Sequence, residues 1–199
     1  DPYGNWINAP NTNLDPSRAQ NYDASIQFYQ NELGFLTISG FYKRIHDLIW
    51  GVSIRPVEGQ TILPDLDLPE DRVPGNPPVN TSINNNNVAT YKGFEAEWQT
   101  HFWYLPSFLS GLILNVNYTY IDSETEYPIL RQERVNVPGS PFPEKVIKDT
   151  SITGRMPDQP NNIANVTLGY DYKGFSARLS MLYQGNTTQS IGNREDLFT

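Results

Sequence analysis

Cysteine is absent from all 199 residues, so the chain can form neither a disulfide framework nor a thiolate metal site. Histidine is nearly absent as well. His46 and His101 stand far apart, without the spacing of a metal-ligating set, and read as strand-end residues. Basic residues are few, with 14 Lys and Arg against 22 Asp and Glu and a formal charge of −8. That balance excludes nucleic acid as a partner, because phosphate backbones are held by concentrated Lys and Arg. No run approaches the ~20 consecutive apolar residues of a membrane helix. The opening Asp1-Pro2-Tyr3-Gly4 has neither the basic start nor the apolar core of a signal peptide. No Ser-His-Asp grouping and no Gly-rich phosphate loop occurs in a strand–helix context. Catalysis, a bound metal and a cofactor are therefore not expected.

What the chain has instead is a rhythm. Six runs of alternating apolar and polar residues lie near 20–31, 35–45, 89–102, 111–122, 162–172 and 175–184. The short joins are Glu32-Leu33-Gly34, residues 103–110 and Lys173-Gly174; the long ones are 46–88 and 123–161. Strict alternation gives a strand one apolar and one polar face. In the fourth run Leu112, Leu114, Val116, Tyr118 and Tyr120 oppose Asn115, Asn117 and Thr119. The third sets Phe94, Ala96 and Trp98 against Glu95, Glu97 and Gln99, and the sixth sets Phe175, Leu179 and Met181 against Arg178. Tight turns at one end and long loops at the other are the layout of a transmembrane β-barrel. A mean hydropathy of −0.52 is compatible with that, since only alternate residues meet lipid.

Two features choose between a membrane barrel and a soluble one. Phe102, Trp103, Tyr170, Tyr172 and Phe175 gather at the turn end, and Tyr22, Tyr42, Tyr118, Tyr120 and Tyr183 at the other. Leu114, Val116, Val166, Leu168 and Leu179 fill the middle, so two aromatic belts flank an aliphatic band. Runs of this length, tilted near ~45°, also cross the ~25 Å apolar band of an outer membrane, whereas soluble strands average about five or six residues. Six strands cannot close such a barrel, whose smallest members have about eight. The expectation is an all-β, antiparallel segment of a larger barrel, with Glu95, Glu97, Asn115, Asn117 and Arg178 facing its lumen. The alternative is a secreted or surface β-sandwich that binds glycans or partners.

Four segments carry a family resemblance. Asn11-Thr12-Asn13-Leu14-Asp15-Pro16-Ser17, followed by Asp23, resembles a loop-to-strand signature of TonB-dependent receptors, with Thr12 and Ser17 where the family has Pro and Glu. Phe41-Tyr42-Lys43-Arg44-Ile45-His46-Asp47-Leu48-Ile49 is similar to that family's strand ending. Gly93-Phe94-Glu95-Ala96-Glu97 resembles the opening of a later strand, and Asn115-Val116-Asn117-Tyr118-Thr119-Tyr120 the strand that follows it. In order and spacing these cover nearly the whole chain and resemble the C-terminal part of the receptor barrel. The end, Asp196-Leu197-Phe198-Thr199, differs from the family's closing aromatic strand. The resemblance implies a monomeric outer-membrane barrel, typically of about 22 strands. It further implies a plug domain upstream of this segment, an extracellular small ligand, and energy from the TonB complex through that upstream region. The ligand class would be an iron chelate, cobalamin, a sugar or a peptide. A passive porin segment would share the wall without the plug.

Ligand recognition belongs to long loops, here 46–88 and 123–161 on the extracellular side. Trp50, Arg55, Tyr127, Arg131 and Arg134 supply their aromatic and basic groups; the alternative role for these residues is to pack the loops together. Asp65, Asp67, Glu70 and Asp71 could offer oxygen ligands to Ca²⁺, but prolines at 64, 69 and 74 and the lack of EF-hand spacing favour a solvated loop. Asn84-Asn85-Asn86-Asn87 reads as a polar loop end. Glycosylation triplets at Asn80, Asn117, Asn165 and Asn186 read as coincidental, two of them lying inside strands.

Overall fold

The computed structural model describes residues 7–54, 79–136, 138 and 142–188. In chain order its strands are β1 (Ile7–Asn8), β2 (Arg18–Gln30), β3 (Gly34–His46), β4 (Leu48–Ile54) and β5 (Val79–Asn85). There follow β6 (Ala89–His101), a 3₁₀ turn at Ser107–Gly111, β7 (Leu112–Val135), β8 (Glu144–Gly154), β9 (Asn162–Tyr172) and β10 (Phe175–Gln184). A seven-stranded sheet runs β10-β9-β7-β6-β3-β2, with β8 on the far end of β7, and β1-β5-β4 form a separate small sheet. Every pairing in the large sheet is antiparallel.

Turn chemistry sets the register at one end. Lys173 and Gly174 both take positive φ, 48° and 84°, as the two central residues of a type I′ hairpin require. Gly34, at φ 83°, closes the three-residue β2–β3 turn. Trp98 of β6 donates from Nε1 to the Leu33 carbonyl at 2.8 Å, and Trp103, just beyond the strand, from Nε1 to that of Asn31 at 3.1 Å. Two indoles thus hold one turn.

With those turns in place the alternation of each strand adds across the sheet. Phe28, Leu36, Trp98, Val116, Val166 and Met181 lie side by side on one face, across β2, β3, β6, β7, β9 and β10. One residue along, Gln27, Thr37, Glu97, Asn117 and Asn165 make the matching row on the other face, which ends at Leu182. Nothing described covers the apolar face. Ile26 is 77% exposed, Leu179 70% and Met181 63%. The outer edges of β2 and β10 carry no described partner, so the sheet is open.

The connections 46–88 and 123–161 hold regular structure as well as loop. The β3/β6 pairing ends at Ile45–Ala89 and the β4/β5 pairing resumes at Leu48–Asn85. His46 and Asp47 therefore face Asn86, Asn87 and Val88, a one-residue bulge with Asp47 at φ 55°. Bulges bend and twist the strand that carries them, and here β4 and β5 turn away from the wall. β7 instead runs straight on, exchanging β9 for β8 as its neighbour beyond Tyr120. The well-buried apolar side chains Val52, Val79, Ile83, Ala89 and Tyr127 all sit in this loop-end layer. The core lies there, not in the wall.

Candidate functional site

The polar face of the wall is built by period-two geometry alone. Glu95, Glu97, Asn115 and Asn117 occupy neighbouring positions on β6 and β7, and Arg178 shares their face on β10. Glu97 accepts a short hydrogen bond from Gln99 Nε2. Arg178 forks onto Asp171, Nη1 to Oδ1 at 2.9 Å and Nη2 to Oδ2 at 2.6 Å, while Ser176 Oγ bonds the same carboxylate. Opposite Arg178 stands Gly169, where a Cβ would lie 3.1 Å from the Arg178 Cδ, so the missing side chain makes room for the guanidinium. Thr167 and Ser180 share a hydroxyl hydrogen bond at 2.9 Å. Side chains bonded laterally across strands brace a polar wall without filling it.

The loop-end layer folds onto this same polar face. Ser123, Thr125 and Tyr127 continue the polar-face alternation of β7 and are buried, while Glu124 and Glu126 between them are exposed. The Trp50 ring covers Tyr127 at a centroid distance of 4.5 Å. From the other side the segment after β8 closes in: Met156 N donates to Ser123 Oγ at 3.1 Å, and Arg155 Nη2 to the Ile121 carbonyl at 3.4 Å. Both excursions therefore overhang the polar side of the sheet and leave the apolar side bare.

The ligand candidates separate in this layer. Tyr127 is wholly buried, and its hydroxyl donates to the Arg155 carbonyl at 3.1 Å and lies 3.3 Å from the Met156 Sδ. Burial, reinforced by the nearby Tyr91, pushes its pKa up to about 12. It is a strut inside the layer rather than a surface for a ligand, because stacking and hydrogen bonding spend both its ring and its hydroxyl. Trp50 is half-buried against it. Arg134 is exposed near the tip of β7, and Arg131 lies on the same strand opposite Lys148. Arg55 and the carboxylates at 65, 67, 70 and 71 lie outside the described residues.

Sequence reading missed the role of the asparagines. Asn84 and Asn85 are strand residues, not a loop end. Asn84 Nδ2 donates to the carbonyls of Asp15 and Asp47, both at 2.9 Å, while its Oδ1 accepts from Asp15 N at 2.8 Å. Asn85 is 1% exposed; its Nδ2 reaches the Glu126 carbonyl at 2.8 Å and its Oδ1 caps Asn87 N at 3.0 Å. The pair ties the strand-entry segment, the bulge and β7 into one unit. A run of amides at a bulge, where backbone groups lose their ladder partners, was the available signal.

A family model described as TonB dependent receptor-like, beta-barrel, matches residues 1–196. The chain belongs to that family. No curated protein and no solved structure matches it. Members are outer-membrane receptors and transporters, and the open, two-faced sheet is the wall of such a TonB-dependent receptor barrel. Among the described residues no helix is long and apolar enough to cross a membrane, which says nothing of a barrel, since a barrel crosses with strands. No group of three potential metal ligands occurs among the described residues either.

Proposed function

We propose that this chain forms an arc of the barrel wall of an outer-membrane receptor and presents the loop-end layer to the outside. The observation that carries this is the uncovered apolar face, continuous over β2, β3, β6, β7, β9 and β10. In water that face would be an aggregation hazard; against acyl chains it is the solvated side. Its aromatics gather in two groups. Tyr22 and Tyr42 lie 6.3 Å apart and Phe94 lies 5.8 Å from Tyr118 toward the loop end, while Tyr170 lies 6.1 Å from Phe175 at the turns. The unpaired edges of β2 and β10 require neighbouring strands, because an unmet backbone group in lipid costs several kcal/mol. A β-sandwich would need a second sheet over the apolar face, and the small sheet lies on the opposite side.

In this reading Glu95, Glu97, Asn115, Asn117 and Arg178 line the lumen. Trp50, Arg55, Arg131 and Arg134 are the residues assigned to gathering a scarce ligand, whether iron chelate, cobalamin, sugar or peptide. The protein does no covalent chemistry; uptake is energised by TonB through a region N-terminal to this one. The test is impermeant maleimide labelling of intact cells that carry the full receptor with Arg134→Cys or Lys173→Cys. Labelling at 134 without permeabilisation, and at 173 only after it, is expected. Equal labelling of both positions in intact cells would overturn the topology, and uptake unchanged in cells lacking TonB would overturn the transport role.

A further inference from the structure

The connection between β6 and β7 differs in kind from the other two turns. The β2–β3 turn exposes Asn31 and Glu32, and the β9–β10 turn exposes Lys173. From Phe102 to Leu114 there is no Asp, Glu, Lys or Arg at all. Yet the segment is not buried: Trp103 is 54% exposed, Tyr104 42%, Phe108 59% and Leu109 37%. Large apolar side chains standing free at a solvent-facing turn need a partner.

The backbone of the segment is prepared for an apolar setting. Leu105 N bonds the Phe102 carbonyl at 3.0 Å, Leu109 N bonds that of Pro106 at 3.3 Å, and Phe102 N bonds that of Leu112 at 2.9 Å. Ser110 Oγ donates to the Ser107 carbonyl at 2.7 Å, and His101 Nε2 lies 2.9 Å from the Ser110 carbonyl. The 3₁₀ turn is seated against the end of β9, where a Cβ on Gly111 would lie 3.0 Å from the Tyr172 Cβ. Tyr172 and Phe175, paired across β9 and β10, end the apolar face at that point. Phe102, on the same side, packs against Tyr104 at 6.2 Å. The exposed patch is thus continuous with the lipid-facing band.

We propose that residues 102–111 form an interfacial foot lying in the turn-side leaflet of the membrane, with Tyr104, Phe108 and Leu109 embedded at the headgroup–acyl boundary. The proposal rests on the barrel reading above. Amphipathic rings favour that boundary, and the bonds made by the Phe102, Leu105 and Leu109 amides lower the number of backbone groups that must find a partner there. The foot would fix the depth of the wall at β6–β7, while the charged turns on either side stay in water. A protein docked on the same patch is the competing occupant.

Depth-dependent quenching decides between them. The full-length receptor in phosphatidylcholine–phosphatidylglycerol vesicles carries a polarity-sensitive fluorophore at Phe108→Cys, Leu179→Cys or Arg134→Cys, with nitroxide lipids labelled near the headgroup or mid-chain as quenchers. Leu109→Cys repeats the reading should Phe108→Cys misfold. Strong quenching at 179 by mid-chain nitroxide, at 108 by shallow nitroxide, and little at 134 is expected. Quenching at 179 with none at 108 or 109 above the level at 134 overturns the foot and leaves the barrel standing. No quenching at 179 overturns the barrel reading, and the foot with it.

Discussion

Trp50 on β4 and Tyr127 on β7 meet in a tilted contact, with ring centroids 4.5 Å apart and planes inclined by 51°. Among the described ring pairs it is the one that joins the small sheet to the large. Together with the bond from Asn85 Nδ2 to the Glu126 carbonyl, it holds the small sheet, which departs from the wall at Asp47, above the polar face.

Removing either ring loosens the overhang and spares the wall. Tyr127→Ala empties a fully buried site, a change that costs about 3–5 kcal/mol for large aromatics. Tyr127→Phe loses the hydroxyl hydrogen bond alone, about 1 kcal/mol. Hydrogen exchange in 48–54 and 79–85 should rise sharply in the first variant and slightly in the second, with β9 and β10 unchanged. Uniform loss of protection across all strands would show that the layer and the wall are one cooperative unit.

The asparagine tie makes a sharper contrast. Asn85→Ala empties a buried amide site, strips the Asn87 N–H of its acceptor and leaves the Glu126 carbonyl with only the weaker 3.3 Å bond from Asn87 Nδ2, costing about 1–3 kcal/mol. Asn86→Ala, at an exposed position with no described side-chain bond, should fall within about 0.5 kcal/mol of the parent. Limited proteolysis of the folded receptor would detect the difference as new cleavage near the bulge in Asn85→Ala alone.

Adjacent positions on β10 report the two faces. Leu179 points to the apolar side at mid-strand and Ser180 to the polar side. Arg at a lipid-facing midplane position costs about 2–4 kcal/mol in such barrels, while lumen positions tolerate it. Leu179→Arg should lower the urea midpoint of folding into detergent or lipid, and Ser180→Arg should leave it nearly unchanged. Equal effects would remove the assignment of faces.

Alkali offers a readout of Tyr127 itself. Burial, with Tyr91 adding to the shift, pushes its pKa from the ordinary 10.0 up to about 12, so the native state favours the neutral phenol. A raised folded pKa means that this contribution is whole below pH 10 and is lost as pH climbs through about 12. Phenolate absorbance near 295 nm should therefore keep a late-titrating component, and Tyr127→Phe should diminish it. An undiminished late component in the variant would assign it to other tyrosines.

Much of this architecture was legible because a strand's side-chain period is two and the turn residues are chemically distinctive. Leu112 to Tyr120 announces its faces without help from any other strand, and Lys173-Gly174 announces a tight hairpin. The lumen candidates Glu95, Glu97, Asn115, Asn117 and Arg178 fell onto one face for the same reason. The loop-end layer was not legible in this way. Whether Trp50 and Tyr127 greet a ligand or each other depends on a bulge that offsets two residues against three, and no local pattern states which strand takes the extra residue.

The division is therefore physical. Alternation, turn chemistry and the placing of aromatics are local properties, and they determined the sheet, its two faces and the aromatic groups toward its two ends. Which face the loop layer covers, the burial of Tyr127, the tie made by Asn84 and Asn85, and the seating of the 102–111 connection against Tyr172 were decided by contacts between residues distant in the chain. Only the folded register brings such residues together.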